Sequence, residues 1–350
     1  MPDGLWVVPV TGMPEVRPGD DLAALVGAGV RALGLTVDEG DVVVVSSKIA
    51  SKALGLVASE RESAVAAATV RVVAERATPD GRVTRVVESA SGPVMAAAGV
   101  DASNTGWSDG VLLLPADPDG VCASLLAALQ RDFGVRRLGI VLSDTSGRPW
   151  REGQVDFALG AAGLSVLDDL RGAVDADGRP LAVTARAVAD EVAAAADLVK
   201  GKVDAVPVAL VRGIGGLVTG AVGAGGRSLV RTGPGDWFAT GTAETVRAAL
   251  GVAPGSERSR RVGVASVAAE PVTVRVGRAV AVALSDEALD ESVGVDVGAD
   301  SVVVTGGDPV DRGVVAARLG VALWGEGFGS ALEPVEGRGA DAVTVRIWKR

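Results

Sequence analysis

The chain has 350 residues, and its 34 lysines and arginines against 44 aspartates and glutamates give a formal net charge of −10. This acidic balance argues against non-specific nucleic-acid binding, which needs a basic face, and no apolar run reaches the roughly 18–20 residues of a membrane-spanning helix. The chain has no histidine, no tyrosine and a single cysteine, Cys122, which excludes a Ser-His-Asp triad, histidine metal ligands and an intrachain disulfide.

The N-terminal region begins with a short apolar stretch, residues 5–9, which predicts a first strand. Without a basic segment and a long apolar core it does not resemble a secretory signal, so we expect a cytoplasmic protein. Asp21 predicts the N-cap of a helix that ends near Gly34. Residues 41–45 predict a strand buried on both faces, because four valines follow one another. A helix is predicted over 60–76, and strands over 82–88 and 111–114.

The middle of the chain continues the mixed pattern. A helix is predicted over 119–131, a second buried strand over 138–142, a hairpin over 172–185, an Ala-rich helix over 186–200, a strand over 206–211 and a Gly-rich loop over 212–226. Because helices and strands do not alternate strictly, the pattern favours an α+β fold over a doubly wound sheet.

The character of the chain changes near residue 255. The charged segment 256–261 predicts a linker, and one helix is predicted beyond it, over 309–320. The other C-terminal segments are short and Val-rich: 272–276, 279–284, 301–305 and 343–347. We therefore predict two domains, 1–252 and 262–350, of which the second is a small α+β domain of unknown role. A chain that ends near Gly251 is expected to stay soluble and to retain some activity.

Two polar segments suit anion binding. Residues 11–15 form either a simple turn or a row of backbone N–H groups that hold a base or phosphate. Lys48 and Lys52 follow a buried strand four residues apart, where they point at one anion or form a solvated strand end. A Walker A loop is missing, because no glycine stands at the required spacing before Lys202.

Two acidic loops suit a hard metal ion. Asp101 lies in the loop 98–104, and Asp144 and Thr145 end the predicted strand 138–142. Their carboxylate and hydroxyl oxygens suit Mg²⁺ or Mn²⁺ beside a nucleotide, whose phosphate oxygens complete the coordination shell. The alternative is that both aspartates cap helices or turns.

Five collinear segments together resemble the coenzyme F420-0:L-glutamate ligase family, the GTP-dependent γ-glutamyl ligases of coenzyme F420 biosynthesis. The match covers roughly residues 5–250. Its segments are 9–14 with 19–22, 41–45 with Ser47 and 51–52, 98–104, 143–148, and 188–202 with Pro207 and 211–213.

The resemblance implies a mixed-sheet α+β ligase domain that forms a homodimer, with the nucleotide near the subunit interface. The guanine-nucleotide contacts that it implies are Gly12, Met13, Pro14, Glu15, Ser47, Lys52 and Asn104. The implied metal ligands are Asp101, Asp144 and Thr145, for Mg²⁺ or Mn²⁺, and K⁺ is a further candidate ion. No catalytic side chain is assigned. Lys202 stands where some members of the family carry an acidic ligand for a second metal ion.

The activity implied is GTP-dependent addition of L-glutamate to coenzyme F420-0, with room for further γ-linked glutamates, through an acyl phosphate. Neither nucleic acid nor membrane is an expected partner. One alternative is a γ-glutamyl ligase for another carboxylate, such as a pterin or folate. Another is a degenerate dimeric nucleotide-binding protein with a regulatory role, although retention of both Asp101 and Asp144 argues against it. The number of glutamates added and the preference for GTP over ATP stay open.

Overall fold

The computed structural model describes residues 4–289, 292–334 and 341–350, and it has the mixed α+β composition that the sequence predicts. The strands are β1 (Trp6–Val10), β2 (Asp41–Ser46), β3 (Val57–Ala58), β4 (Thr69–Ala77), β5 (Val83–Ser89), β6 (Val94–Ala96), β7 (Val111–Leu112), β8 (Leu138–Arg148), β9 (Arg151–Ala162), β10 (Asp168–Asp169), β11 (Ala185–Arg186), β12 (Val208–Arg212), β13 (Gly294–Val297), β14 (Ser301–Thr305), β15 (Phe328–Pro334) and β16 (Ala342–Lys349). The helices are α1 (Leu22–Ala32), α2 (Ser47–Ala53), α3 (Arg61–Ala68), α4 (Pro118–Phe133), α5 (Val188–Lys200), α6 (Thr242–Ala249), α7 (Glu257–Val262), α8 (Val272–Ala283) and α9 (Pro309–Gly325).

The chain divides into two compact units. The first contains the described residues up to 70 and residues 88–235, and the second contains residues 71–87 and the described residues from 236 onward. The sequence-based domains, 1–252 and 262–350, stay a prediction, since the contacts group the residues differently. No helix in the described ranges combines the length and the apolar composition needed to cross a membrane.

The first unit is built on a sheet with the strand order β1-β12-β2-β8-β9. Strands β2 and β8 are parallel, and the other neighbouring pairs are antiparallel, so the sheet is mixed as expected. In the parallel pair, Ser46 lies opposite Ser143. Strand β2 therefore ends beside Ser143 while β8 continues to Arg148, which brings the start of α2 next to Asp144.

Helices cover both faces of this sheet. On one face Val43 and Val45 pack into a core with residues of α1 and α4, and on the other face Val42 and Val44 pack with α5. Burial on both faces explains why β2 is an unbroken valine run. Helix α1 begins as predicted, because the Asp21 side chain accepts a hydrogen bond from the backbone amide of Ala24 at 3.0 Å.

Strands β8 and β9 form a long hairpin whose second strand the sequence analysis did not predict. The pairing shifts between Leu142 and Ser143: Leu142 lies opposite Gly160, but Ser143 lies opposite Ala158. One residue of β9 therefore lies outside the regular ladder, as in a β-bulge. Beyond it, Thr145 lies directly opposite Asp156.

The second unit packs α8 and α9 with an antiparallel sheet in the order β13-β14-β16-β15. Two segments there differ from the expectation of a linker followed by a single helix. Residues 272–283 form helix α8, whose buried positions Val276, Ala279 and Ala283 recur with helical spacing. The expected linker 256–261 is occupied by α7, which Ser256 caps by accepting a hydrogen bond from the Ser259 amide.

The helix predicted over 60–76 is confirmed only in its first half. Helix α3 ends at Ala68, and β4 follows at once. The β-branched residues Thr69, Val70, Val72 and Val73 favour a strand at this point. Strand β4 and its neighbour β5 carry most of residues 71–87, the segment that belongs to the second unit.

Candidate active site

A cleft of about 340 Å³ opens in the first unit where β2 ends, beside the middle of β8. Its walls come from the segment after β1, from α2, from the hairpin β8–β9 and from the loop after α5. Seven of the predicted site residues line it: Met13, Pro14, Glu15, Lys52, Asn104, Asp144 and Thr145. The structure therefore brings together residues that lie up to 132 positions apart, between Met13 and Thr145.

Asp144 is fixed by helix α2. The hydroxyl of Ser47, which is buried, donates a hydrogen bond to Asp144 Oδ1 at 3.0 Å. Burial raises the pKa of Asp144 to about 6, against the opposing effects of the Ser47 hydrogen bond and the nearby Lys48 charge. Ser47 does not line the cleft and instead holds the Asp144 carboxylate through this hydrogen bond. The resemblance had implied that Ser47 contacts the nucleotide.

Asp101 is not part of the cleft lining, but it contacts Lys48, which is. The backbone of Asp101 pairs with Leu112, and its Oδ1 accepts a hydrogen bond from the Ser103 amide at 2.7 Å. Its Oδ2 contacts the ammonium group of Lys48, which also lies 3.2 Å from the Ser103 hydroxyl. Burial acts to raise the pKa of Asp101, but the hydrogen bond and charge of Lys48 hold it below its ordinary value.

Asp156 and Lys200 are site residues that the sequence analysis missed. Both line the cleft and are about 96% buried as side chains, and Lys200 Nζ lies 2.7 Å from Asp156 Oδ2. Lys200 also donates to the Ser143 hydroxyl at 2.6 Å. Burial acts to raise the pKa of Asp156, but the Lys200 charge holds it below its ordinary value. A prediction that the strand bearing Asp144 forms a hairpin with the segment after it would have pointed to Asp156.

The remaining oxygen of Asp156 orients the Thr145 hydroxyl, which donates to Oδ1 at 2.5 Å. Since that hydroxyl proton is held by the carboxylate, the lone pairs of Thr145 are available to a cation. The ammonium group of Lys202 contacts the same hydroxyl and lies 3.7 Å from Asp156 Oδ1. Lys202 therefore lies in the cleft and does not simply face solvent.

The nucleotide-contact candidates are brought together in part. Lys52 is buried and pairs with Glu15 at 2.6 Å. Asn104 has a left-handed backbone conformation, with φ of 53°, and its side-chain amide donates to the Lys202 carbonyl at 3.3 Å. Gly12, with φ of 74°, precedes the lining residues in the chain, and a Cβ there would meet no atom within 4 Å.

The donor set fits a hard divalent cation that keeps ligands from phosphate or water. Within the described residues, no three Asp, Glu or Cys side chains form a group able to hold a metal ion by themselves. Asp144 and Thr145 nevertheless supply hard oxygen atoms to the cleft, and the Asp101 carboxylate contacts the lining residue Lys48. Mg²⁺ commonly binds one or two carboxylates together with substrate phosphates. The four lysines on the lining, Lys48, Lys52, Lys200 and Lys202, suit a polyanion.

Comparison with known proteins identifies the family of this chain. The coenzyme F420:L-glutamate ligase of Methanothermobacter thermautotrophicus is 39% identical over 229 residues, which cover 60% of this chain and 89% of the relative. The enzymes of the same name from Halobacterium salinarum and Archaeoglobus fulgidus are 42% and 37% identical, over 58% and 59% of this chain and 85% and 87% of their own length. The profile of F420-0:Gamma-glutamyl ligase matches residues 12–213, so this chain is a ligase that belongs to the F420-0:gamma-glutamyl ligase family.

Proposed function

We propose that this protein joins L-glutamate to coenzyme F420-0, with GTP as phosphoryl donor and an acyl phosphate as intermediate. The relatives named coenzyme F420:L-glutamate ligase support the two substrates. The observation that carries the phosphoryl-transfer part is the cleft itself, where four lysine ammonium groups and the Asp144 carboxylate face one cavity. Such a set of charges suits a polyphosphate held with a metal ion.

The chemistry needs activation because a carboxylate has no good leaving group for attack by an amine. In the first step, an oxygen of the acceptor carboxylate bonds to the γ-phosphorus while the β–γ bridging bond breaks and GDP leaves. In the second, the α-amine of L-glutamate attacks the acyl carbon and loses a proton, and phosphate leaves as the amide bond forms. The lactyl carboxylate of F420-0 is the first acceptor, and the γ-carboxylate of an added glutamate is the next.

The residues of the cleft perform this chemistry by positioning and by neutralising charge. Lys52 lies at the Glu15 end of the cleft and Lys202 at the Thr145 end, so they neutralise different parts of a bound polyphosphate. Asp101, Asp144 and Thr145 would hold Mg²⁺ or Mn²⁺, which supplies charge neutralisation at the transferred phosphoryl group. No histidine is needed for these roles.

Two further parts of the proposal concern assembly and ions. We propose a homodimer, as the family resemblance implies, and we include K⁺ as a monovalent ion that supports activity. Size-exclusion chromatography with light scattering tests the first. Replacing KCl by NaCl or by a tetraalkylammonium chloride in the assay tests the second.

The decisive experiment incubates the purified protein with F420-0, L-glutamate, GTP, KCl and MnCl₂ or MgCl₂, and follows the acceptor by mass spectrometry. We expect a product heavier by one glutamyl residue, formed together with one equivalent of GDP. Parallel reactions contain ATP in place of GTP, or a pterin or folate in place of F420-0. Product from the other acceptor only would assign a different γ-glutamyl ligase, and nucleotide binding without any product would indicate a regulatory protein.

A further inference from the structure

Lys48 has an unusual position for a lysine that belongs to a polyanion cleft. It is the second residue of α2, it lines the cleft, and its side chain is only 17% exposed. Its ammonium group contacts Asp101 Oδ2 and lies 3.2 Å from the Ser103 hydroxyl. Its charge also acts on Asp144, the other carboxylate proposed to hold the metal ion. Lys48 is therefore the direct partner of Asp101, and its charge also reaches Asp144.

Lys52, one helical turn later, provides the contrast. Its ammonium group pairs with Glu15, which belongs to the segment after β1 and is not among the proposed metal ligands. The two lysines were expected to face one anion, but the structure pairs each of them with a different carboxylate. Of these two lysines, Lys48 is the one that contacts a carboxylate proposed to hold the metal ion.

A lysine ammonium and a divalent cation cannot share these oxygen atoms. The ammonium has three donors and no acceptor, so it cannot join the coordination shell. Two cations at contact distance also repel each other strongly in a partly buried site. Metal binding must therefore release Lys48 from Asp101, and its long flexible side chain then moves within the cleft that it already lines.

We propose that Lys48 is an internal counter-ion, which occupies the divalent-cation position of the metal-free protein and is displaced by the metal ion towards the polyphosphate of the nucleotide. This inference rests on the proposed function for the metal and the polyphosphate. It gives Lys48 two successive anionic partners, first Asp101 and then phosphate. It also makes metal and nucleotide binding cooperative, because the ion that displaces the ammonium group makes it available to the nucleotide.

The test is a Mn²⁺ titration without nucleotide, in which the free ion is measured by electron paramagnetic resonance. Lys48→Met, which keeps the length and removes the charge, should bind Mn²⁺ about tenfold more tightly than wild type, since a charge-assisted hydrogen bond no longer competes. Lys48→Arg retains the charge and should bind Mn²⁺ no more tightly than wild type. Lys52→Met is the matched control on the same helix, and it should leave the Mn²⁺ affinity unchanged.

The same variants are then titrated with a non-hydrolysable GTP analogue at saturating Mg²⁺. Lys48→Met should bind the analogue about tenfold more weakly, because an ammonium–phosphate contact is lost. Opposite changes in the metal and nucleotide affinities are the signature of a displaced counter-ion. A misfolded variant would lose both affinities, and circular dichroism identifies it. Asp101 is 42% exposed, so water can solvate its carboxylate when Lys48 is removed.

The outcomes separate this inference from the proposed function. Glutamate transfer and Mn²⁺ binding by wild type, with equal or weaker Mn²⁺ binding by Lys48→Met, would overturn the counter-ion role alone. Equal strengthening in Lys52→Met would also overturn it, because the effect would then be one of overall charge. Wild-type protein that neither binds Mn²⁺ nor transfers glutamate would overturn the proposed function and this inference together.

Discussion

Stability and function favour opposite protonation states of the Asp144 carboxyl group. Its burial disfavours the charged form, but a metal ligand must be charged. Asp144→Asn keeps the volume and the Ser47 contact, and it removes the charge. We expect this variant to fold normally and to lose glutamate transfer, measured by mass spectrometry, together with Mn²⁺ binding. Near-normal turnover at saturating metal would remove Asp144 from the metal site.

The pH dependence of stability follows from the same raised pKa, which lies near 6 in the folded protein. A raised pKa means that the contribution of Asp144 to stability is fully present below its unfolded value and is lost as the pH rises through about 6. In the presence of a chelator, Asp144→Asn should therefore gain stability relative to wild type as the pH rises from about 4 to 7. The difference should reach at most about 3 kcal/mol, since one pKa unit corresponds to about 1.4 kcal/mol.

Denaturant unfolding of both proteins at several pH values measures this difference. The chelator matters, because a bound ion would stabilise wild type and reverse this trend. A constant difference between about pH 4 and 7 would show that the carboxyl group does not titrate in this range.

Sequence reasoning identified the cleft residues that follow buried strands. Asp144 and Thr145 follow the apolar segment 138–142, and Lys52 belongs to the polar segment that follows the valine run of β2. Sequence reasoning did not identify Asp156 and Lys200, because each joins the site only through a contact with another strand or helix. Asp156 needs the hairpin register, and Lys200 needs the end of α5 to lie beside Ser143.

At the scale of secondary-structure elements, the buried ion pair of Lys200 and Asp156 joins α5 to the β8–β9 hairpin. Removing one partner leaves an uncompensated buried charge. Lys200→Met should therefore lower the free energy of unfolding by about 3–5 kcal/mol. The double variant Lys200→Met with Asp156→Asn removes both charges and should recover a large part of this loss. Denaturant unfolding of the two single variants and the double variant gives the coupling energy.

Lys202→Met is the matched control for this pair. Its side chain is 53% exposed, so its free energy of unfolding should stay within about 0.5 kcal/mol of wild type. A loss in Lys202→Met as large as that in Lys200→Met would mean that the buried pair has no special role in stability.

The elements that the sequence predicted well have one dominant signal. Strand β2 is a valine run, and α1 has a capping residue and apolar spacing. Helix α8 was missed because its valines favour strands locally, and the packing of a helical stripe against α9 overrides that preference. All of β9 was missed, and its first residues Arg151, Glu152 and Gln154 are polar and exposed, as in a loop.

At the scale of the whole molecule, residues 71–87 change the expected effect of truncation. Glu75 is buried in the second unit, where its carboxylate accepts a hydrogen bond from Ser259 and its backbone amide lies 3.2 Å from Glu244 Oε1. A chain that ends at Gly251 loses Ser259 and leaves the Glu75 carboxylate without that partner. In contrast to the expectation from sequence, we expect such a chain to be poorly soluble.

Deleting both parts of the second unit should preserve the first. The chain on the two sides of residues 71–87 is held together within the first unit, because the Ala90 amide donates a hydrogen bond to the Ala68 carbonyl at 2.9 Å. A chain that ends at Gly235 and joins residue 70 to residue 88 by a short Gly-Ser linker should therefore be soluble and bind Mn²⁺. Thermal unfolding and the Mn²⁺ titration compare it with the chain that ends at Gly251. A first unit that aggregates in both forms would show that it needs the second unit to fold.

The irregular pairing in the β8–β9 hairpin determines to which face of the sheet the side chains of β9 beyond the irregularity point. Between Leu142 and Thr145 strand β8 has two residues, but between Asp156 and Gly160 strand β9 has three. If the ladder continued without interruption, Asp156 would lie opposite Ser146, and its side chain would point to the other face of the sheet. The charge environment of the cleft therefore depends on one residue that takes no part in pairing, and a slip of one position would separate a carboxylate from its lysine without changing any residue.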